Sequence, residues 1–204
     1  MKKILLVFSL SFMIISCTET EKISPDSGKI SENSENNEMV ALIDEMMDDM
    51  HSDKPTGNID VDFSKMMMAH HQGAVDMSQL LLEKGTNPEL KKFAQKVIAD
   101  QNTEIALMKK YAAKTANFPE NKEFEQALNQ SMAAMMNSDT KVYNDIDKDY
   151  AAQMIPHHQS AVDMAKVYQK FGKEKELLDL SDMIVQHQTS EIAQLQAWLD
   201  KNKL

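Results

Sequence analysis

Apolar residues recur at helical spacing through most of the chain. Phe63, Met67, His70, Ala74, Met77 and Leu81 stand alternately four and three residues apart, and Tyr150, Met154, His157, Ala161, Met164 and Tyr168 repeat the series. That period lays a stripe along one face of a helix and predicts two helices, each with a buried side. Each is expected to stop near a glycine, Gly85 or Gly172. Asn87-Pro88 offers a cap and a first-turn proline for the next helix, expected to reach about Lys114 with Ala94, Ile98, Gln101, Ile105 and Met108 on one face. A matching helix is expected from about Lys173 to Asn202, carrying Val185, Gln188, Ile192, Leu195 and Leu199. Two further helical stretches are predicted, Glu38 to His51 and Pro119 to Met136. Strand patterns are missing: β-branched runs are few and the chain has only five glycines. Four long helices in two hairpins predict an all-α four-helix bundle, with an extra N-terminal helix and a helical crossover.

The pattern occurs twice in residue identity as well as in period. Asp62 to Lys109 aligns with Asp149 to Gln196 without a gap, at a constant offset of 87 residues. Met67-x-x-His70-His71-Gln72-x-Ala74-Val75-Asp76-Met77 is answered by Met154-x-x-His157-His158-Gln159-x-Ala161-Val162-Asp163-Met164. Gln101-x-x-Glu104-Ile105-Ala106 is answered by Gln188-x-x-Glu191-Ile192-Ala193. Such a repeat means two copies of one unit that bury each other, here about 62–114 and 149–202.

The first residues read as an address. Lys2 and Lys3 precede an apolar run from Ile4 to Ile15, too short to span a bilayer, which ends in Ile14-Ile15-Ser16-Cys17. This resembles the lipobox of bacterial lipoproteins, in which cleavage precedes a cysteine that is then acylated. Residues 1–16 are therefore expected to be a lipoprotein signal peptide, with Cys17 as the lipidation site and the bilayer of the cell envelope as a partner. Cys17 is the only cysteine, so no intramolecular disulfide can form. Thr18 to Asn37 is rich in Ser, Glu and Asn, almost without apolar residues, and is expected to be a disordered tether. The bundle would then occupy residues 38–204. A net charge of −10 argues against nucleic acid, which calls for basic surface.

Candidate chemistry lies in the histidine pairs, which hold four of the six histidines. His70 and His157 interrupt the inward stripe, and His71 and His158 lie about 100° further round, on its flank. Met67 and Met154 stand one turn before the pairs, and Met77 and Met164 two turns after His70 and His157. Gln101, Gln188, Glu104 and Glu191 bring polar groups from the partner helices. Buried polar groups must be paired or ligated. A hydrogen-bonded core with methionine as filler satisfies that demand, and so does a transition metal held by imidazole and thioether, with Glu104 and Glu191 as further donors. The repeats lead us to expect two similar pockets. Further soft donors are Met47, Met50 and His51, and Met132, Met135 and Met136; His187 stands where the first repeat has Asp100. With 17 methionines and no thiol beyond Cys17, thioether ligation points to Cu(I) and, by the same softness, Ag(I). Zinc more typically uses Cys, His or carboxylate. A ferritin-type di-iron centre calls for Glu-x-x-His where this chain has Gln101-x-x-Glu104. No nucleophile triad and no phosphate loop is present. The expected function is a metal-binding envelope protein that sequesters copper or passes it to a transfer partner; the alternative is a ferritin-like metallo-oxidase acting on a metal ion or small substrate.

The stretch Met154-Ile155-Pro156-His157-His158-Gln159-Ser160-Ala161-Val162-Asp163-Met164-Ala165 closely resembles the signature of a bacterial envelope family, as does the lead-in from Pro55 to Phe63. This is domain-of-unknown-function family three-oh-five, which includes CopM-type copper-binding proteins. The resemblance runs from about Glu38 to the C-terminus. It implies a ferritin-like four-helix bundle and, in some members, Cu(I) or Ag(I) bound by Met and His. Carried over by position, it points to Met67, His70, His71, Met77, Met154, His157, His158 and Met164. The chain departs from the signature at Ala69, where its own second repeat has Pro156.

Overall fold

The computed structural model describes residues 37–114, 118–136 and 140–202. The expected signal peptide, Cys17 and all but the last residue of the expected tether lie outside these. The described residues form six α-helices and one short 3-10 turn: α1 Glu38–Met50, α2 Ile59–Lys84, α3 Pro88–Ala112, α4 Lys122–Gln130, a 3-10 turn at Ser131–Ala134, α5 Ile146–Phe171 and α6 Lys175–Lys201. No helix among them is long and apolar enough to cross a membrane.

Side-chain caps explain where the helices begin. The side chains of Asn37, Asn58, Asn87, Asn121 and Asp145 accept from backbone N–H groups of the first turns of α1 to α5. Each such cap satisfies donors that the helix itself leaves free and stabilises by about 1 kcal/mol. Asn37 is thus the start of the bundle and not the end of a tether; its side-chain amide also donates to Asp149 at 2.8 Å. The cap at Asn121 likewise starts α4 three residues after Pro119, and the helix tightens into the 3-10 turn where Ser131 Oγ donates to the Leu128 carbonyl. The expected single helix from Pro119 to Met136 is therefore a shorter helix followed by a turn.

The stops after α2 and α5 are glycines, as the pattern predicts, but for a different reason than left-handed backbone. Gly85 and Gly172 are both extended, near φ −70° and ψ 160°. What they need is space. A β-carbon at Gly85 would come within 2.7 Å of Asp147 Oδ1, and one at Gly172 within 2.4 Å of the Tyr168 ring.

Two hairpins, α2–α3 and α5–α6, make a ferritin-like four-helix bundle. They join along α2 and α5, which run antiparallel: Phe63 stacks on Tyr168 with ring centroids 4.3 Å apart, His70 faces His157, and Ser78 Oγ meets the Tyr150 hydroxyl at 3.0 Å. α3 and α6 are also antiparallel, linked by Lys96 to Glu191 and by Tyr111 to Glu176. Contacts at 63 with 168, 70 with 157 and 78 with 150, set beside an 87-residue repeat, relate the hairpins by a pseudo-two-fold axis close to His70 and His157. α1 packs on α2 and α5, and α4 with the 3-10 turn packs on α5. α1 approaches α2 at Gly73, where a β-carbon would collide with the Met46 sulfur at 2.4 Å.

The core is divided around this axis. One cluster gathers Met46, Met50, Phe63, Met67, Met108, Met132, Met164 and Tyr168; the other gathers Met39, Ala74, Met77, Leu81, Tyr150, Met154 and Trp198. Between them lie the four histidines.

Candidate metal centre

All four histidines of the repeated pairs are fully buried. The antiparallel contact of α2 and α5 brings the His70 and His157 rings to 3.8 Å between centroids, tilted by 39°. His71 and His158 lie 6.3 and 5.9 Å from their neighbours. They are not on an open flank, because α3 and α6 close over them and supply a carboxylate to each. His71 Nε2–H donates to Glu104 Oε2 at 2.6 Å. His158 Nε2 lies 3.2 Å from Glu191 Oε2, without the alignment of a hydrogen bond. His157 Nε2–H donates to the backbone carbonyl of His70 at 3.0 Å. The histidines therefore meet at one centre and do not form a separate pocket within each hairpin.

Several ring nitrogens are left over. The Nδ1 atoms of His71, His157 and His158 have no protein partner, and His70 has none at either nitrogen. Burial, with the neighbouring histidines adding to it, holds His70 and His157 well below the ordinary imidazole range. Both rings are thus neutral at pH 7 and carry lone pairs. An imidazole that ligates a metal usually gives its other N–H to a carboxylate or carbonyl, which fixes the tautomer. His71 against Glu104 and His157 against the His70 carbonyl have that arrangement, with Nδ1 free. The Oε1 atoms of Gln101 and Gln188, also buried, lack partners as well. Donors orphaned in this number are expensive in a core unless something binds them.

The four methionines of the repeated motif lie in the core on either side of the histidines. Met67, Met77, Met154 and Met164 are fully buried. The axis pairs them across the repeats: Met67 and Met164 belong to one core cluster, Met77 and Met154 to the other. A soft ion at the centre would therefore find sulfur from both hairpins on either side. Among the described residues no three His, Cys, Asp or Glu side chains are grouped as a cage for one ion. The buried side chains able to ligate along the α2–α5 seam are imidazoles and thioethers, the soft end of the biological ligand scale.

The other candidates divide. Glu104 and Glu191 reach the centre as partners of His71 and His158. Burial pushes the Glu191 carboxyl up, but His158 and Lys96 outweigh it and hold it below the usual carboxylate range. Met50 is core and Met47 packs half-buried against it. His51 is exposed; its Nδ1–H donates to the Met47 carbonyl at 2.7 Å, and it borders an open groove together with Met132 and Met136. His187 is exposed on α6. One residue that sequence reasoning passed over also stands at the site. Lys96 donates to Glu191 Oε1 at 2.9 Å and to Asp100 at 2.6 Å. Its repeat counterpart is Met183, which is 43 % exposed.

The family model described as "Domain of unknown function (DUF305)" matches residues 17–112 and 60–199. The chain belongs to this family. The first match ends with the first hairpin, and the second spans both. No curated protein matches the chain. Among solved structures it is similar to CopM in an Ag-bound form, at 34% identity and TM-score 0.54, over 70% of this chain and 95% of that one. It is similar to CopM in the Cu(I)-bound form at 32% identity and TM-score 0.53, over 70% and 96% of the two chains. A DUF305 fragment from Deinococcus radiodurans matches at 22% identity and TM-score 0.53, over 72% and 99%, which shows the shared fold.

Proposed function

We propose that this protein binds Cu(I), and by the same chemistry Ag(I), at the centre of its bundle, and thereby sequesters copper or hands it on at the cell envelope. The observation that carries this reading is a set of four fully buried histidines whose orphaned ring nitrogens lie between two methionine-containing core clusters. The ligands are Met67, His70, His71, Met77, Met154, His157, His158 and Met164. Similarity to CopM, solved with silver and with Cu(I), supports the choice of metal. Zinc and iron fit less well, because the donors are rich in thioether and poor in convergent carboxylate. Acylation of Cys17 would anchor the bundle to a membrane through the segment between Cys17 and Asn37.

The test is a Cu(I) titration of the purified full-length protein under anaerobic conditions, in competition with a chromophoric chelator. The parent should hold Cu(I) against the chelator. The variant with His70→Ala, His71→Ala, His157→Ala and His158→Ala should lose it while circular dichroism still reports the helices. Unchanged Cu(I) uptake in a folded quadruple variant would sink the reading. For the anchor, Cys17→Ser should move the protein out of the membrane fraction; retention after a high-salt wash would refute lipidation.

A further inference from the structure

α3 and α6 approach each other less closely than the two helices within either hairpin, and less closely than α2 and α5. Long side chains bridge the gap: Lys96 reaches Glu191, and Lys110 and Tyr111 reach Glu176. A cavity of about 270 Å³ opens in this seam, between Leu90, Phe93 and Lys96 of α3 and Gln194, Leu195 and Trp198 of α6.

A succession of polar groups leads from this cavity to the histidines. Lys96, at the cavity's edge, is 58% exposed; its ammonium donates to Asp100 on its own helix at 2.6 Å and to Glu191 Oε1 across the seam at 2.9 Å. Glu191 is buried, and its other oxygen lies 3.2 Å from His158 Nε2. His158 neighbours His157, which faces His70. The corresponding step in the first hairpin is closed. There His71 Nε2 carries the proton that it gives to Glu104 at 2.6 Å, so an ion arriving past Glu104 would meet an N–H and no lone pair. His158 Nε2 makes no hydrogen bond. The Glu191 side therefore offers a carboxylate and then an open imidazole nitrogen, behind one exposed lysine.

We propose that copper enters and leaves the bundle through the α3–α6 seam, past Glu191 to His158 Nε2, and that the Lys96 ammonium is the latch over this port. This rests on the soft-metal reading above and adds the path of the ion to it. While the latch is closed, Lys96 is the counter-ion of Glu191 and keeps another cation away, since like charges at contact distance repel. Its exposure lets the ammonium swing into water, which leaves the buried carboxylate to draw an ion inward. Exposed ion pairs hold weakly, so such a latch slows passage by up to about fivefold. It closes over the empty and the loaded bundle alike. Removing it therefore changes the rates in both directions and leaves the affinity nearly alone.

The test separates rate from affinity. Purified full-length protein is loaded with Cu(I) under anaerobic conditions and stripped by an excess of chromophoric chelator in a stopped-flow instrument. Equilibrium competition with the same chelator gives Kd. Lys96→Gln, a change at an exposed position, should speed stripping by roughly three- to fivefold and keep Kd within about twofold of the parent's, because the lost charge is exposed and screened. Lys92→Gln removes the same charge from the same groove at a residue that takes no part in the bridge between Asp100 and Glu191. It should be stripped at the parent's rate. A Lys96→Gln protein stripped no faster than the parent would overturn the port and leave the soft-metal reading intact. Equal acceleration in Lys92→Gln would do the same, since the effect would then be one of net charge. Failure of the parent to take up Cu(I) would overturn both.

Discussion

In the first hairpin Glu104 holds His71 at 2.6 Å. In the second, Glu191 stands 3.2 Å from His158 and gives its other oxygen to Lys96. The same difference of detail appears at the turns. Asp147 closes the α2–α3 turn by accepting from the Thr86 backbone and hydroxyl and from the Asn87 backbone. Its counterpart Asp60 accepts from the Tyr168 hydroxyl. Tyr168 itself stands where the first repeat has Leu81. At the axis, by contrast, His70, His157 and the flanking methionines are the same in both copies. His70 and His157, which face their own counterpart across the axis, stayed alike, and so did the methionines that share a cluster with a methionine of the other copy. Elsewhere the copies drifted, and the drift reached the charges around the centre.

The largest effect should come from the residues the copies share. Removing His70 and His157 together, each as Ala, is expected to lower Cu(I) affinity by about a hundredfold, and each alone by a similar, smaller factor near tenfold. Chelator competition measures this. A strongly unequal pair of single variants would break the equivalence of the halves at the axis.

Acid should be the next most damaging treatment of the metal-free protein. Burial lowers the folded-state values of His70 and His157, with His157, His71 and His158 adding to the effect at His70 and His158 and His71 at His157. The folded protein therefore refuses protons that the unfolded chain accepts. Stability is full above about pH 6.5 and falls as pH drops below it. Glu191, held low by His158 and Lys96 against the opposing effect of burial, loses its own contribution only as pH falls below about 4. Urea unfolding at a series of pH values tests this; a flat profile between pH 7 and 5 would refute it.

At the turns, Asp147→Ala should cost about 2 kcal/mol, because it strips several donors of Thr86 and Asn87 of one shared, buried acceptor, and Asp60→Ala about 1 kcal/mol. Equal losses in chemical denaturation would mean that the two turns differ in appearance only. The mildest change concerns the sulfurs. Met67→Leu with Met164→Leu, or Met77→Leu with Met154→Leu, should alter stability by less than about 1.5 kcal/mol per residue. Cu(I) affinity should fall roughly three- to tenfold in both double variants, with Zn(II) affinity little changed. A matching loss for Zn(II) would point to disturbed packing.

Much of this was legible in the chain. The four–three spacing of Phe63 to Leu81 and of Tyr150 to Tyr168 located α2 and α5, and Asn87-Pro88 located the start of α3. A gapless repeat implied two copies packed on each other. It could not say that they pack antiparallel, so the pairing of Met67 with Met164 and of Met77 with Met154 was hidden. The same gap made His71 and His158 look like flank residues. A helical wheel describes one helix, whereas their burial depends on α3 and α6 lying across them. Lys96 carries no signal in the sequence, because its meaning lies in a register between two helices nearly a hundred residues apart. Asn37 read as linker because a cap is recognisable only beside the helix it caps.

The pseudo-two-fold axis has a consequence for ancestry. A single hairpin whose histidine faces its own copy across a two-fold is the subunit of an isologous homodimer, and this chain is what such a dimer becomes when one polypeptide carries both subunits. In a homodimer every substitution is made twice: a lysine at one end of the centre compels a lysine at the other. Joining the subunits lifts that constraint. Only after fusion can one half keep Lys96 while the other carries Met183, so unequal halves are a property that the unfused ancestor could not have possessed.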